Sequence, residues 1–327
     1  MWAPVLVAVL ALLGGLLVAP GPAVADPDEG GSSSVYKKLD AAASKYNNAK
    51  SKLAATKKKQ KKLKKKAAAT KQTVDELSTA VGKIAAVRYR QGPTSLLVLG
   101  LGEQSGEDFL AMADTLTYLG RQDTAKLDEL ADARRAQHDQ QRELAATAAK
   151  QRKQVAELKK RRDKAQKAVD KISSGSSAGY GGQSASADPA PRNPDGSWPP
   201  ESCSVDDPTT GGCITPRTLH AYQEARKAGY TRYTSCYRSG EDGGEHPRGR
   251  ACDFSVTEGG FGGVASGDAK TYGNNLAAWF IANSGRLAVL YVIWFRQIWM
   301  PGVGWQHYDP TGAPSVEHTN HVHLSVQ

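Results

Sequence analysis

The chain has 327 residues, with 43 Lys and Arg against 33 Asp and Glu, giving a formal net charge of +10. Hydrophobic residues make up 39% and aromatics 7%, too little apolar mass for one globule of this length, so part of the chain lies outside a packed core. A single apolar run longer than ten residues excludes a multi-span membrane protein, and four Cys are too few for a disulfide-dense scaffold.

The charge is unevenly placed. Residues 199–327 hold 10 Lys and Arg against 12 Asp and Glu, so the whole basic excess belongs to residues 1–198. All four Cys and five of the six Trp lie from Trp198 onward. A basic, Trp-poor arm therefore precedes a near-neutral, Cys-containing end.

Val5 to Val18 is almost continuously apolar, and Ala23-Val24-Ala25 precedes Asp26. This pattern predicts a signal peptide over residues 1–25, although no Lys or Arg precedes the run. The run falls short of the roughly 20 residues that a bilayer span needs. The expected location is outside the cell, where disulfides are permitted.

Residues 26–172 read as a coiled-coil arm. Two Pro-free stretches, about 35–90 and 106–172, are rich in Ala, Lys, Gln and Leu. Leu144, Ala148, Gln151, Val155, Leu158, Arg162, Ala165, Val169 and Ile172 alternate steps of four and three, as do Val74, Leu77, Val81 and Ile84. That is heptad spacing. Gly92-Pro93 breaks the first helix, and an apolar patch from Ser95 to Leu101 precedes the second. The expectation is a long antiparallel hairpin with an apolar knob at its tip. Together with Phe109, the knob is either a partner-docking surface or packing at the turn.

Lys57 to Lys66 holds eight lysines in ten residues. Such a run is a solvated helix face that also attracts polyanions, which outside a cell are wall polymers or anionic lipid. No aromatic is interleaved for base stacking, so nucleic acid is not an expected partner. Residues 173–198, rich in Ser, Gly, Ala and Pro, read as a flexible linker.

Residues 199–327 read as a compact α+β domain. Thr215-Pro216 starts a helix to about Ala228, and Asp268 caps another to about Asn283. Strands are expected over 230–237, 251–256, 287–294, 297–300 and 321–326. Cys203 with Cys213 would close a local loop, and Cys236 with Cys252 would staple two strands. Four Cys allow three connectivities, and a Cys-rich zinc site is the alternative, although no Cys-x-x-Cys pair occurs.

Chemistry concentrates in His246-Pro247-Arg248-Gly249-Arg250-Ala251-Cys252-Asp253 and, far downstream, His321-Val322-His323. Imidazole and carboxylate are good zinc ligands, and catalytic zinc takes three protein ligands plus water. Alternate strand residues share a face, so one His of the late pair can bind metal while the other reaches substrate. Gly249 would allow close backbone approach. His307 reads as structural. Trp294, Trp299, Trp305 and Tyr308 would either wall a substrate groove or fill the core.

The segment His246 to Asp253 fits His-x-x-Gly-x-Ala-x-Asp. With a late His-x-His, it resembles the zinc metallopeptidase superfamily of lysostaphin, D-alanyl-D-alanine peptidases and hedgehog domains. The resemblance implies zinc held by His246, Asp253 and His323. Ser235-Cys236-Tyr237-Arg238-Ser239 is similar to the Ser-Gly-Tyr-Arg-Ser segment of D-alanyl-D-alanine carboxypeptidases, which implies that Arg238 polarises the scissile carbonyl. Asn320 stands where those carboxypeptidases place a catalytic Glu. The His-x-His form instead resembles murein endopeptidases and gives His321 the acid/base role; His318 would either orient it or simply be exposed. The domain also resembles an uncharacterised actinobacterial wall-associated domain, and the arm resembles coiled coils of secreted peptidoglycan hydrolases. The implied function is a secreted zinc peptidase, carboxypeptidase or endopeptidase, acting on peptidoglycan stem peptides. The alternative is a non-catalytic, zinc-holding module that binds peptidoglycan or activates a hydrolase.

Overall fold

In the computed structural model, residues 33–91, 106–171, 173–174, 179–184, 186–240 and 244–327 are described. The signal peptide, Gly92-Pro93, the apolar patch at 95–101 and Ile172 lie outside these residues.

Two long helices, α1 (Ser33–Gln91) and α2 (Gly106–Val169), form the amino-terminal region. At about 1.5 Å per residue each is on the order of 90 Å long. They lie against each other, and partner numbers fall on α2 as they rise on α1. Lys59 pairs with Glu143 at 2.8 Å, Gln140 donates to Thr70 at 2.9 Å, and Arg88 pairs with Asp123 at 2.8 Å. Val74 is buried in the seam, with Leu77, Val81 and Ile84 half-buried beside it.

The seam of α2 departs from expectation at two positions, Val155 and Arg162. Leu144, Ala148, Gln151, Leu158, Ala165 and Val169 turn inward as expected, and Thr147, Gln154, Arg161 and Ala168 line the seam beside them. Val155 and Arg162 are exposed. With so many small and polar residues available, hydrophobicity alone does not choose between adjacent flanks of the stripe.

The carboxy-terminal region is a small sheet domain. Short strands β1 (Val205–Asp206) and β2 (Cys213–Ile214) pair with each other. Helix α3 (Pro216–Lys227) starts with Thr215, whose side chain accepts the Thr218 amide. The main sheet comprises β3 (Thr234–Ser235), β4 (Ala251–Ser255), β5 (Val289–Trp294), β6 (Gln297–Met300), β7 (Gly304–His307) and β8 (His321–Val326). Its order is β3-β4-β8-β5-β6-β7, and every pair is antiparallel. Helix α4 (Gly267–Ala282) and the short α5 (Ser284–Leu287) precede β5. Ser266 rather than Asp268 is the N-cap of α4; Asp268 sits inside its first turn, where a carboxylate favours the helix dipole.

Strand alternation divides the sheet into two faces. Phe254, Val292, Trp294, Val322, Leu324 and Val326 pack against α3, α4 and α5. Tyr291, Ile293, Ile298 and Met300 face the other way, and the inner ends of the arm cover them through Tyr36, Leu39, Ala43, Ala165, Ala168 and Val169. A bulge between Val289 and Tyr291 lets Leu290 and Tyr291 both turn toward the arm. Asn47 of α1 donates to the Val289 carbonyl at 2.8 Å, satisfying a backbone group at the bulge.

The segment expected to be a flexible linker is laid along the domain where it is described. Ala187, Ala190 and Trp198 are buried. The Ala187 amide donates to Asn283 Oδ1 at 2.9 Å, Trp305 donates to the Tyr180 carbonyl at 3.2 Å, and Arg192 stacks 3.4 Å over Trp198. Side-chain amides and indoles give this Pro- and Gly-rich strap the partners that a sheet would otherwise supply.

Candidate metal centre

Antiparallel register builds the site. On β4 and β8, Asp253 stands directly opposite His323, and His321 lies two pairs along, opposite Ser255. Their side chains share the face turned toward the arm, because Cys252, Phe254, Val322 and Leu324 take the other face. His246 arrives from the short 3-10 turn His246–Arg248, which ends at Gly249 with φ 65°. A Cβ on Gly249 would lie 2.7 Å from the Ile214 Cα and 2.6 Å from the Cys203 sulfur. The close approach expected of this glycine is therefore to strand β2 and the Cys203–Cys213 bridge, which hold the His246 turn in place.

The three residues expected as metal ligands converge. One ligand atom from each of His246, Asp253 and His323 lies within 4.8 Å of the others. His246 Nε2 is 3.1 Å from Asp253 Oδ2 and 3.3 Å from His323 Nδ1, and His323 Nδ1 is 2.8 Å from Asp253 Oδ1. The far nitrogens are taken: His246 Nδ1 donates to the Cys236 carbonyl, and His323 Nε2 meets Ser325 Oγ at 2.7 Å. The carbonyl contact fixes the His246 tautomer and leaves a lone pair on its Nε2 aimed at the carboxylate, and a Ser325 hydroxyl accepting from Nε2 would do the same for His323 Nδ1. The three residues could hold a metal ion between them, and an imidazole–carboxylate donor set suits zinc.

His321 completes the cluster. Its Nδ1 donates to Asn320 Oδ1 at 2.7 Å. Its Nε2 lies 3.4 Å from Asp253 Oδ1 and is buried without a hydrogen-bond partner. Asn320, in the position where carboxypeptidases carry Glu, is held by Gly262 at 2.8 Å and Ser315 at 3.1 Å, so it orients His321. His318 is buried, packs its ring 4.7 Å from that of His321, and occupies the left-handed region at φ 52°. Arg238 Nη1 lies 3.3 Å from Asp253 Oδ2, at the rim of the cluster.

Burial sets the electrostatics. Desolvation alone would raise the Asp253 pKa, but the facing His246 and His321 outweigh it and hold the carboxyl well below its usual range. Burial pushes His323 down to about 4 against the pull of Asp253. Burial also lowers His318 well below the ordinary imidazole value, helped by repulsion from His321 and His323.

Both disulfides join the expected partners, Cys203 with Cys213 and Cys236 with Cys252. The second matters to the site. Cys236 supplies the carbonyl that orients His246, and Cys252 immediately precedes Asp253.

Four contributors escaped sequence reading. Ser325 and Tyr291 lie on the site face, and Tyr291 stacks on His323 at 5.4 Å and 9°. Phe261 packs 5.3 Å from His321. Glu245 is wholly buried and ion-pairs with Arg248 and Arg250, and Arg250 in turn reaches Asp40 of α1 at 3.0 Å. Only Ser325 left a signal, its two-residue offset from His323. Of the aromatics expected to wall a groove or fill the core, Trp294 is core and bonds Asn274, Trp299 and Trp305 pack on the far face, and Tyr308 alone reaches the cluster, 5.2 Å from His318. His307 is exposed on β7.

The cluster is closed. His246, Asp253, His318, His321 and His323 are each at most 1% exposed. The arm forms part of the cover, since Tyr36 is fully buried 6.2 Å from Tyr291 and its hydroxyl meets that of Tyr308 at 2.7 Å.

Residues 210–319 match the family described as VldE, C-terminal domain. The match contains His246, Asp253 and His318 and stops before His321 and His323. No curated protein and no solved structure matches the chain. Among the described residues, no helix is long and apolar enough to cross a membrane.

Proposed function

We propose that the chain is a secreted, cell-wall-associated zinc peptidase acting on peptidoglycan stem peptides, its α+β domain mounted on an antiparallel coiled-coil arm. The observation that carries this reading is the convergence of His246 Nε2, Asp253 and His323 Nδ1 beside the unpartnered Nε2 of His321. Zinc held there would supply an acidified water and polarise the scissile carbonyl. His246, Asp253 and His323 hold it. His321 takes the proton of the attacking water on Nε2 and returns it to the leaving amine, with Asn320 keeping the ring in the productive tautomer. Arg238 donates toward the carbonyl oxygen as charge develops there. Peptidoglycan is the polymer partner, and the outer end of the arm is the place for a membrane-protein partner.

A second reading has its own observation. A cluster at most 1% exposed suits a module that keeps zinc as a clamp and binds peptidoglycan or activates a hydrolase without cutting. Incubating the zinc-loaded full chain with purified peptidoglycan and mass-analysing the released peptides separates the two. New peptide termini that vanish in His321→Ala support the peptidase. Zinc retention with no cleavage of any peptidoglycan supports the clamp.

A further inference from the structure

The positive charge of the arm sits at one end. Residues 33–66 of α1 and 142–171 at the end of α2 lie side by side next to the domain and carry 24 Lys and Arg against five Asp and Glu. The outer stretches, 67–91 and 106–141, carry eight against ten. The arm is thus bipolar, +19 near the domain and −2 beyond. All 13 lysines of the inner α1 stretch are exposed, so the charge is presented outward.

Its spacing is regular. Lys38, Lys45, Lys52, Lys59 and Lys66 recur every seven residues and form one rail on α1, with neighbours about 10 Å apart. Lys164 on α2 and Lys171 in the turn after it stand at the same interval, and Lys153, Lys160 and Lys167 form a parallel row. Between the helices lie two cavities of about 260 and 290 Å³ that share Lys45 and Arg161, so they form one groove. Lys38, Lys45 and Lys52 stand on one side of it, and Arg161, Lys164, Lys167 and Lys171 on the other. Its lining between them is Ala41, Ala42, Ala49 and Ala168 with Asn48 and Gln154, and one carboxylate, Glu157, which pairs with Arg161 at 2.5 Å. The acidic residues of this stretch do not neutralise the rail: Lys38, Lys45 and Lys66 have no ion pair among the described residues.

We propose that this groove docks a linear, base-free phosphodiester polymer, an anionic chain of the polyol-phosphate type. Evenly spaced cations along a shallow Ala-lined groove match a slender backbone with regular negative charge, and binding releases the counterions that the crowded lysines otherwise hold. Nucleic acid fits less well, because no aromatic in the inner stretches is exposed: Tyr36 is buried and Tyr46 half-buried. A membrane fits less well, because Val155 is the only exposed large apolar residue there and nothing stands ready to insert. The inference is independent of whether the metal centre cleaves anything.

The test is binding of the full chain to poly(glycerol phosphate) across a salt series, by fluorescence anisotropy of the labelled polymer. The triple variant Lys38→Gln, Lys45→Gln and Lys52→Gln removes three groove charges with little change in helix propensity. The control Lys61→Gln, Lys62→Gln and Lys65→Gln removes three exposed charges that line neither cavity. The groove variant is expected to weaken binding at least about tenfold and to flatten the log–log salt slope by about 2, at roughly 0.7 per phosphate contact. The control is expected to change both by much less. Equal losses in the two variants would overturn the groove in favour of bulk charge. Tighter binding of a single-stranded oligonucleotide, or of phosphatidylglycerol vesicles, than of the polymer would overturn the assigned partner. Circular dichroism of both variants verifies that the helices persist.

Discussion

Asn320 holds its Oδ1 2.7 Å from Nδ1 of its chain neighbour His321, and so turns the other imidazole nitrogen toward Asp253. Consecutive residues at a strand entrance rarely face each other. Here Asn320 is pinned by Gly262 and Ser315 just outside β8, so its amide lies beside the ring rather than across the sheet.

This contact predicts a split between metal and rate. His321→Ala should keep zinc and lose about 100–10,000-fold in peptide release, the usual span for a general base. Asn320→Leu should also keep zinc and lose part of the same rate, because the ring then chooses its tautomer freely. Zinc content by elemental analysis, read beside muropeptide release, checks both. Loss of zinc from His321→Ala would move that residue into the ligand set.

Metal binding itself should fail in His246→Ala and in Asp253→Ala. The full chain is expected to hold about one zinc, as a three-ligand site does. Calorimetric titration of the stripped protein measures the affinity. If both variants bind zinc like the wild type, the centre lies elsewhere.

The Cys236–Cys252 bridge links the carbonyl that orients His246 to the strand that carries Asp253. Replacing both cysteines by Ser should weaken zinc by about 10–100-fold, the typical effect of losing an outer contact to a ligand. The Cys203–Cys213 pair, which only braces the His246 turn, should matter less when treated the same way. Competition with a chromogenic chelator ranks the two.

Acid should destabilise the metal-free protein in a defined window. His323 falls to about 4 in the folded chain from the ordinary 6.5, so the unfolded chain binds more protons between those values. Stability therefore rises with pH across that interval, and its contribution is complete above about 6.5 and lost as pH falls toward 4. At about 1.4 kcal/mol per pKa unit the change is on the order of 3 kcal/mol. Urea denaturation of the stripped chain at pH 7, 5.5 and 4.5 measures it, and His323→Gln should flatten the dependence.

The arm's contribution to the cover is testable through access. Tyr36→Ala removes a fully buried ring beside Tyr291 and the hydroxyl contact to Tyr308. Chelator removal of zinc should become at least several-fold faster, with affinity changed far less. An unchanged rate would mean that the cluster opens by another route.

Much of this was legible in the sequence, for reasons that differ by element. His246, Asp253 and His323 could be read because ligand chemistry demands particular side chains, and strand period two puts His321 and His323 on one face. The 3.6-residue period gave α1 and α2 to within a few residues. Strand β7, Gly304–His307, went unread because its four residues carry no alternation strong enough to stand out. The strap at 179–198 was invisible for a different reason. Its order comes from Asn283, Gln297 and Trp279, which lie far along the chain and which composition cannot anticipate. The closure of the site was equally hidden, since it depends on Tyr36 meeting a residue 272 positions away.

Asn47 on the Val289 carbonyl has a consequence for how the molecule would come apart. The arm supplies the sheet with a hydrogen bond at its bulge, an ion pair through Asp40, and apolar cover from both α1 and α2. A chain cut between Ser174 and Gly179 would lose its covalent tie and keep all of these. The two pieces should therefore migrate together under native conditions and separate only in denaturant. Proteolytic processing at that point would yield a non-covalent heterodimer in place of a released domain.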